Sequence, residues 1–178
     1  RLWLYHKPAG LVTTHKDERD RPTVFDNLPA GMPRVISVGR LDLNSEGLLL
    51  LTNNGEISRE LELPKNAWSR RYRVRVHGRI DTKQLAGLQN GVTIEGVAYG
   101  KVSAAVDSQN GTNAWLTVTL NEGKNREIRK LMKFIGLEVT RLIRVSYGPF
   151  QLGNLAKGEV REVPLKVLKE QLGSRIAL

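Results

Sequence analysis

No cysteine occurs anywhere in the 178 residues. That excludes a disulfide scaffold and a thiolate zinc site, and it fits a reducing compartment such as the cytoplasm. The three histidines, His6, His15 and His77, are scattered without metal-ligand spacing, so no metal is expected. No apolar run approaches the roughly 20 residues of a membrane span, and no signal-peptide pattern opens the chain. No stretch joins a wide apolar helix face to a lysine-rich border, so a membrane surface is not the expected partner. Aromatic residues make up only 6%, few for a sugar-binding cleft.

What the chain has in excess is positive charge. Lys and Arg number 28 against 18 Asp and Glu, a formal net charge of +10 with a pI near 10.1. Such an excess favours a polyanionic partner over one that is neutral or basic. With 40% hydrophobic and 26% charged residues the composition is that of an ordinary globular protein. The length suffices for one domain with a sizeable core, or for a domain of two lobes. The chain opens at Arg1-Leu2-Trp3-Leu4-Tyr5, already inside a strand pattern, as an excised piece of a longer protein would.

Leu2 to His6 reads as a strand, Lys7-Pro8-Ala9-Gly10 as a turn, and Leu11 to Thr14 as a second short strand. A helical turn is expected within Pro22 to Leu28, and strands over Arg34 to Val38 and Leu48 to Thr52. Asn53-Asn54-Gly55 signals a turn before a helix from Glu56 to Leu61, which must stop ahead of Pro64. Arg70 to Gly78 alternates: Tyr72, Val74 and Val76 point one way, and Arg71, Arg73 and Arg75 the other. A helix from Asp81 to Leu88 leads to two or three strands within Val92 to Val106. Asp107 to Asn113 reads as a hairpin loop and Ala114 to Leu120 as a strand. Asn125 is placed to cap a helix in which Ile128, Leu131, Met132 and Ile135 recur at helical spacing, with Gly136 ending it. Glu138 to Val145, Phe150 to Leu155 and Glu159 to Val163 read as strands, and Pro164 opens a terminal helix to about Leu172. Many strands and a few short helices in irregular order predict an α+β fold with a mixed, mostly antiparallel sheet flanked by short helices.

The stretch from Val38 to Thr52 organises this pattern. A polar loop bracketed by Gly39 and Gly47 holds Arg40, Asp42, Asn44 and Glu46 between two strands. A short loop on two buried strands is a rigid mount for a reactive carboxylate. From the residues alone, a polar turn with Arg40 paired to Asp42 explains it slightly better. A glycosidase pair of Asp42 and Glu46 is a third reading, but two acids four residues apart are too common to carry it.

Two segments are basic. Asn121 to Arg144 contains Lys124, Arg126, Arg129, Lys130, Lys133, Arg141 and Arg144, and Arg71, Arg73 and Arg75 line one face of a strand. Together with the net charge they point to nucleic acid, with Arg126, Lys130, Arg71 and Arg73 as candidates to contact its backbone. Tyr72, among valines, reads as a core tyrosine or as a stacking platform for a base, and the residues alone favour the core. Gly123-Lys124 lacks the spacing of a phosphate-binding loop.

Three blocks in order give these features a common meaning. They are VGRLDLNSEGLLLLTNNG (Val38 to Gly55), RRYRVRVHG (Arg70 to Gly78) and EGKNREIRKLMKFIGLEVTRLIRVSYGPF (Glu122 to Phe150), with LYHKPAGLVTT before them. Over nearly its whole length the chain resembles the bacterial ribosomal RNA pseudouridine synthases, most closely the branch acting on the large subunit. The resemblance implies the pseudouridine synthase fold, two lobes around a basic active-site cleft, as a single catalytic domain over residues 1–178. It implies that the small RNA-binding domain carried by most members is absent from this chain. Asp42 matches the essential aspartate, Tyr72 the tyrosine that stacks on the target uracil, and Arg129 the arginine that pairs with the aspartate. Leu142 matches an apolar residue lining the uracil pocket, and Arg40 a residue that holds or replaces the extruded nucleotide. The implied reaction is isomerisation of a ribosomal RNA uridine after base flipping, by a cytoplasmic monomer that needs no cofactor. The rival reading is a non-catalytic RNA-binding or ribosome-assembly factor on the same fold. The basic surface would serve both, while the presence of Asp42, Tyr72 and Arg129 together favours the enzyme.

Overall fold

A computed structural model describes residues 1–178. The chain divides into two compact units, residues 1–67 with 149–178, and residues 68–148.

The first unit begins with β1 (Leu2–Lys7), whose alternation buries Trp3, Tyr5 and Lys7. β2 (Ile36–Ser37) and β3 (Glu46–Thr52) follow, then α1 (Gly55–Glu62). β3 is buried at every position, and β1 pairs antiparallel with it from Leu2↔Thr52 to Lys7↔Gly47. Trp3, Tyr5, Leu49 and Leu51 form one core with Val24, Val35 and Leu41. The Asn54 side chain caps α1 by accepting from the Glu56 N–H at 2.9 Å.

In the second unit come β4 (Arg70–His77), α2 (Thr82–Gly87), β5 (Val92–Ile94), β6 (Val97–Tyr99), β7 (Val102–Asn110), β8 (Asn113–Leu120), α3 (Glu127–Phe134) and β9 (Glu138–Tyr147). Asp81 caps α2 through the Lys83 and Gln84 N–H groups. The strands form an antiparallel sheet in the order β9-β4-β8-β7, and β5 and β6 make a separate hairpin. α3 buries Ile128, Leu131 and Met132, with Ile135 just beyond it, against Val74, Val76, Leu116, Val118 and Leu142. Four such side chains contribute on the order of 6–12 kcal/mol before entropy is counted. That outweighs the roughly 1–2 kcal/mol of a left-handed residue at the start of the helix, Arg126 at φ 50°. Gly148, at φ 55°, lies so close to Trp68 that a Cβ would fall 2.7 Å from Cε3, so only glycine fits. The chain then returns to the first unit with β10 (Phe150–Gln151), β11 (Val160–Glu162), which pairs with β1, and α4 (Leu165–Leu172).

The α+β class and mostly antiparallel pairing expected from the sequence are both present. Four local expectations are corrected. Leu11 to Thr14 is not a strand: Val12 makes one isolated parallel bridge to Thr23. His15 instead stacks on Phe25 with ring centroids 3.7 Å apart. The strand over Arg34 to Val38 shrinks to Ile36–Ser37, because Pro33 lacks an N–H and Gly39, at φ 67°, turns the chain away. Asp107 to Asn113 is mostly strand, with Gly111 and Thr112 alone between paired Asn110 and Asn113. A polar, exposed edge strand has no apolar alternation to betray it. Asn125 is not the cap: Arg126 holds that position, and Glu127 accepts from the Lys124 N–H at 3.3 Å.

Candidate active site

The loop between β2 and β3 is held by its backbone. Val38 N–H donates to Leu50 O at 2.8 Å, Gly39 N–H to the Glu62 carboxylate at 2.7 Å, and Gly10 N–H to Leu43 O at 2.8 Å. The Thr13 hydroxyl donates to Leu41 O at 2.8 Å and accepts from Leu41 N–H at 3.3 Å. Leu41 anchors the loop in the core at 7% exposure, while Asp42 is half-buried and Arg40 exposed.

Beneath the loop lies Lys7, with 0% exposure. Its Nζ donates to the carbonyls of Pro8 (3.0 Å), Asp42 (3.1 Å), Leu43 (3.2 Å) and Ser45 (2.8 Å). Burial pulls its pKa down to about 8, opposed by the negative charges of Asp42 and Glu46. Below that value Lys7 is an ammonium, and a buried ammonium must be saturated with acceptors. The loop carbonyls are those acceptors, so the same contacts that make Lys7 tolerable fix the backbone that carries Asp42. Glu46, itself buried, pairs with Lys157 at 3.1 Å. From the sequence, Lys7 reads as a turn residue. The available signal was parity, since Lys7 continues the Trp3, Tyr5 face of β1.

In the second unit, Tyr72 is half-buried and packs against the α3-facing core. Leu142 sits on that face too, opposite Val74 and 6% exposed. Arg129 lies half-buried in the first turns of α3, with Arg126 and Lys130 exposed beside it. Tyr72, Leu142 and α3 therefore share one side of the sheet. Arg71 and Arg73 do not: alternation sets them on the opposite side, paired across β8 with Thr119 and Thr117.

The start of α3 holds a second cluster that sequence reasoning missed. Glu127 is 4% exposed, and burial followed by the charge of Glu122 raises its pKa to about 7. Glu122 accepts from Gly100 N–H and pairs with Lys124, whose Nζ donates to Ala98 O at 2.6 Å. These bonds tie the approach to α3, and with it Arg126 and Arg129, to the turn after the β5–β6 hairpin.

No group of three or more His, Asp or Glu gathers as a metal site, and no helix is long and apolar enough to cross a membrane. Comparison with known proteins gives a consistent answer. The family model described as RNA pseudouridylate synthase matches residues 1–134. An uncharacterised RNA pseudouridine synthase of Rickettsia bellii is 53% identical over 169 residues, which are 95% of this chain and 73% of that protein. Ribosomal large subunit pseudouridine synthase B of Yersinia pestis is 42% identical over 168 residues, 93% of this chain and 53% of that protein. A crystal structure of a pseudouridylate synthase shares the fold, with a TM-score of 0.83 at 24% identity over 97% of this chain and 73% of its own. A family model spanning most of the chain and a relative identical at half its positions leave one assignment: the chain belongs to the RNA pseudouridylate synthase family.

Proposed function

We propose that this enzyme isomerises a specific uridine of ribosomal RNA, in the large subunit, with Asp42 as its essential carboxylate. The observation that carries the reading is the mount of Asp42, whose backbone is held by Lys7 and neighbouring bonds while the residue is only half-buried. A carboxylate that must meet one ribose atom gains most from such pre-organisation. The substrate rests on the +10 charge and on the Yersinia pestis relative, whose name specifies the large ribosomal subunit.

The reaction breaks the bond from ribose C1′ to uracil N1 and makes one from C1′ to C5. C5 loses a proton and N1 gains one, so no redox equivalent, phosphate or cofactor enters. Asp42, ionised, either attacks the nucleotide or takes a sugar proton. Tyr72 lays its ring against the uracil while it is detached, with Leu142 behind it. Arg129 is the guanidinium that the family resemblance assigns to orient the reacting carboxylate. The uridine must leave its stack, so base flipping is part of the mechanism, and Arg40 takes the place of the nucleotide or holds it. Arg126 and Lys130 contact phosphates.

The test uses large-subunit ribosomal RNA from a strain lacking the gene, treated with wild-type protein or Asp42→Asn. Pseudouridines are then mapped by carbodiimide labelling and primer extension. One new stop with the wild type and none with the variant is expected. RNA binding without a new stop on large- or small-subunit RNA would make the protein a non-catalytic RNA-binding factor.

A further inference from the structure

The side of the second unit's sheet that faces away from α3 is not covered by that helix, and its chemistry is distinctive. Arg75 lies opposite Trp115 on β8 and opposite Arg141 on β9, and Arg73 lies opposite Thr117. Arg71, Arg73 and Arg75 alternate along β4, about 6.8 Å from one to the next. Trp115 is half-buried, with the Arg73 guanidinium 5.0 Å and the Arg75 guanidinium 5.8 Å from its ring centre. The heads are held in place. Arg75 Nε donates to the Thr140 hydroxyl at 2.9 Å, a bond that leaves both Nη groups as donors. Arg73 pairs with Asp107 at 3.3 Å, and the Thr117 hydroxyl donates to that same carboxylate at 2.6 Å. Around them β7 and β8 present Ser103, Ala105, Thr117 and Thr119, which are small and leave the surface open.

We infer that this face is a second RNA-binding surface: Arg71, Arg73, Arg75 and Arg141, with Trp115 beside Arg73 and Arg75, take the backbone and an unpaired base of a segment remote from the reacting uridine. The inference rests on the RNA substrate proposed above. Guanidiniums repeated along one strand fit a repeating phosphate chain, and each can bond a phosphate with two N–H groups. An indole among guanidiniums gives a base a plane to stack on, which is how unpaired RNA is gripped without reading its sequence. Asp107 keeps the Arg73 head over Trp115 until a phosphate displaces it. The surface explains why the arginines of β4 lie on the side of the strand away from Tyr72: they serve affinity, and the other side serves chemistry.

The probe is a fluorescein-labelled single-stranded oligoadenylate, which has no uridine to isomerise. Its binding to the full chain is followed by anisotropy across a salt series. Arg75→Gln with Arg141→Gln should weaken binding at least about tenfold and flatten the log–log salt slope by about 1.4, roughly 0.7 for each phosphate no longer neutralised. Tritium release from saturating 5-tritiated uridine RNA should keep its kcat. Trp115→Phe, which keeps an aromatic ring in the sheet, should abolish most of the quenching of tryptophan emission by the oligonucleotide. An unchanged slope and unchanged quenching in an enzyme that still isomerises uridine would overturn this surface alone. A wild type that binds no RNA would overturn the functional reading as well. Competition by polyglutamate as effective as that by RNA of equal charge would make the face a general acidic-partner patch and overturn the inference.

Discussion

The Asp42 loop and the arginine face of the β4 sheet both present charge, but they fix different parts of the residue. At Asp42 the main chain is held: Lys7 takes the carbonyls of Asp42, Leu43 and Ser45, and Gly10 and Thr13 close the rest. On the sheet the heads are held: Arg73 by Asp107 and Trp115, Arg75 by Thr140 and Trp115. A carboxylate that must meet one atom needs its backbone placed to a fraction of an ångström, and the cost is a buried ammonium. A guanidinium that meets a phosphate tolerates looser placement, so surface contacts suffice. The two regions should therefore break differently.

Asp42 should show the greatest sensitivity. Asp42→Asn keeps the shape of the side chain, and Lys7 bonds the carbonyl of this residue rather than its carboxylate, so the melting temperature should hold. Activity should fall at least about a thousandfold. Lys7→Met comes next. It leaves three loop carbonyls without their donor, at a cost of roughly 3–5 kcal/mol. Thermal melts should drop by roughly 10 °C, with kcat falling and oligoadenylate binding kept. A Lys7→Met protein as active as the wild type would show that the cage does not position Asp42.

Glu127→Gln is a subtler probe. Its carboxyl is raised from 4.5 to about 7, so the folded state holds the proton more tightly than the unfolded one. Stability from this group is therefore fully present below 4.5, declines as pH rises toward 7, and is level above. The variant should lose that decline, seen as a smaller gap between urea midpoints at about pH 5 and about pH 8. An unchanged gap would mean that Glu127 titrates normally. Gly39→Ala should matter least. A Cβ there meets nothing within 4 Å, so only the left-handed φ of 67° is penalised. That is about 1 kcal/mol, or roughly 2–4 °C in a melt.

Much of this was legible in the sequence. The alternation of β4 and the stripe of α3 are local signals, and each appears where the pattern put it. The ordered motifs led to the right family. What stayed hidden depended on contacts distant in sequence. Lys7 looks like a turn residue until β1 pairs with β3 and sets its ammonium beneath a loop some 35 residues away. Trp115 gave no signal as a single residue, because only the register of β4 on β8 sets it among arginines. The polar strand after Val106 was missed because an exposed edge needs no apolar period.

Everything proposed for the first unit turns on whether the carboxylate of Asp42 isomerises uridine in bound RNA. Single-turnover tritium release from 5-tritiated uridine in large-subunit ribosomal RNA reads this step, with the binding of the same RNA measured in parallel, for wild type and Asp42→Asn. Stoichiometric release by the wild type, none above background by the variant, and equal binding by both are predicted. Release by the variant at the wild-type rate would contradict the role given to Asp42.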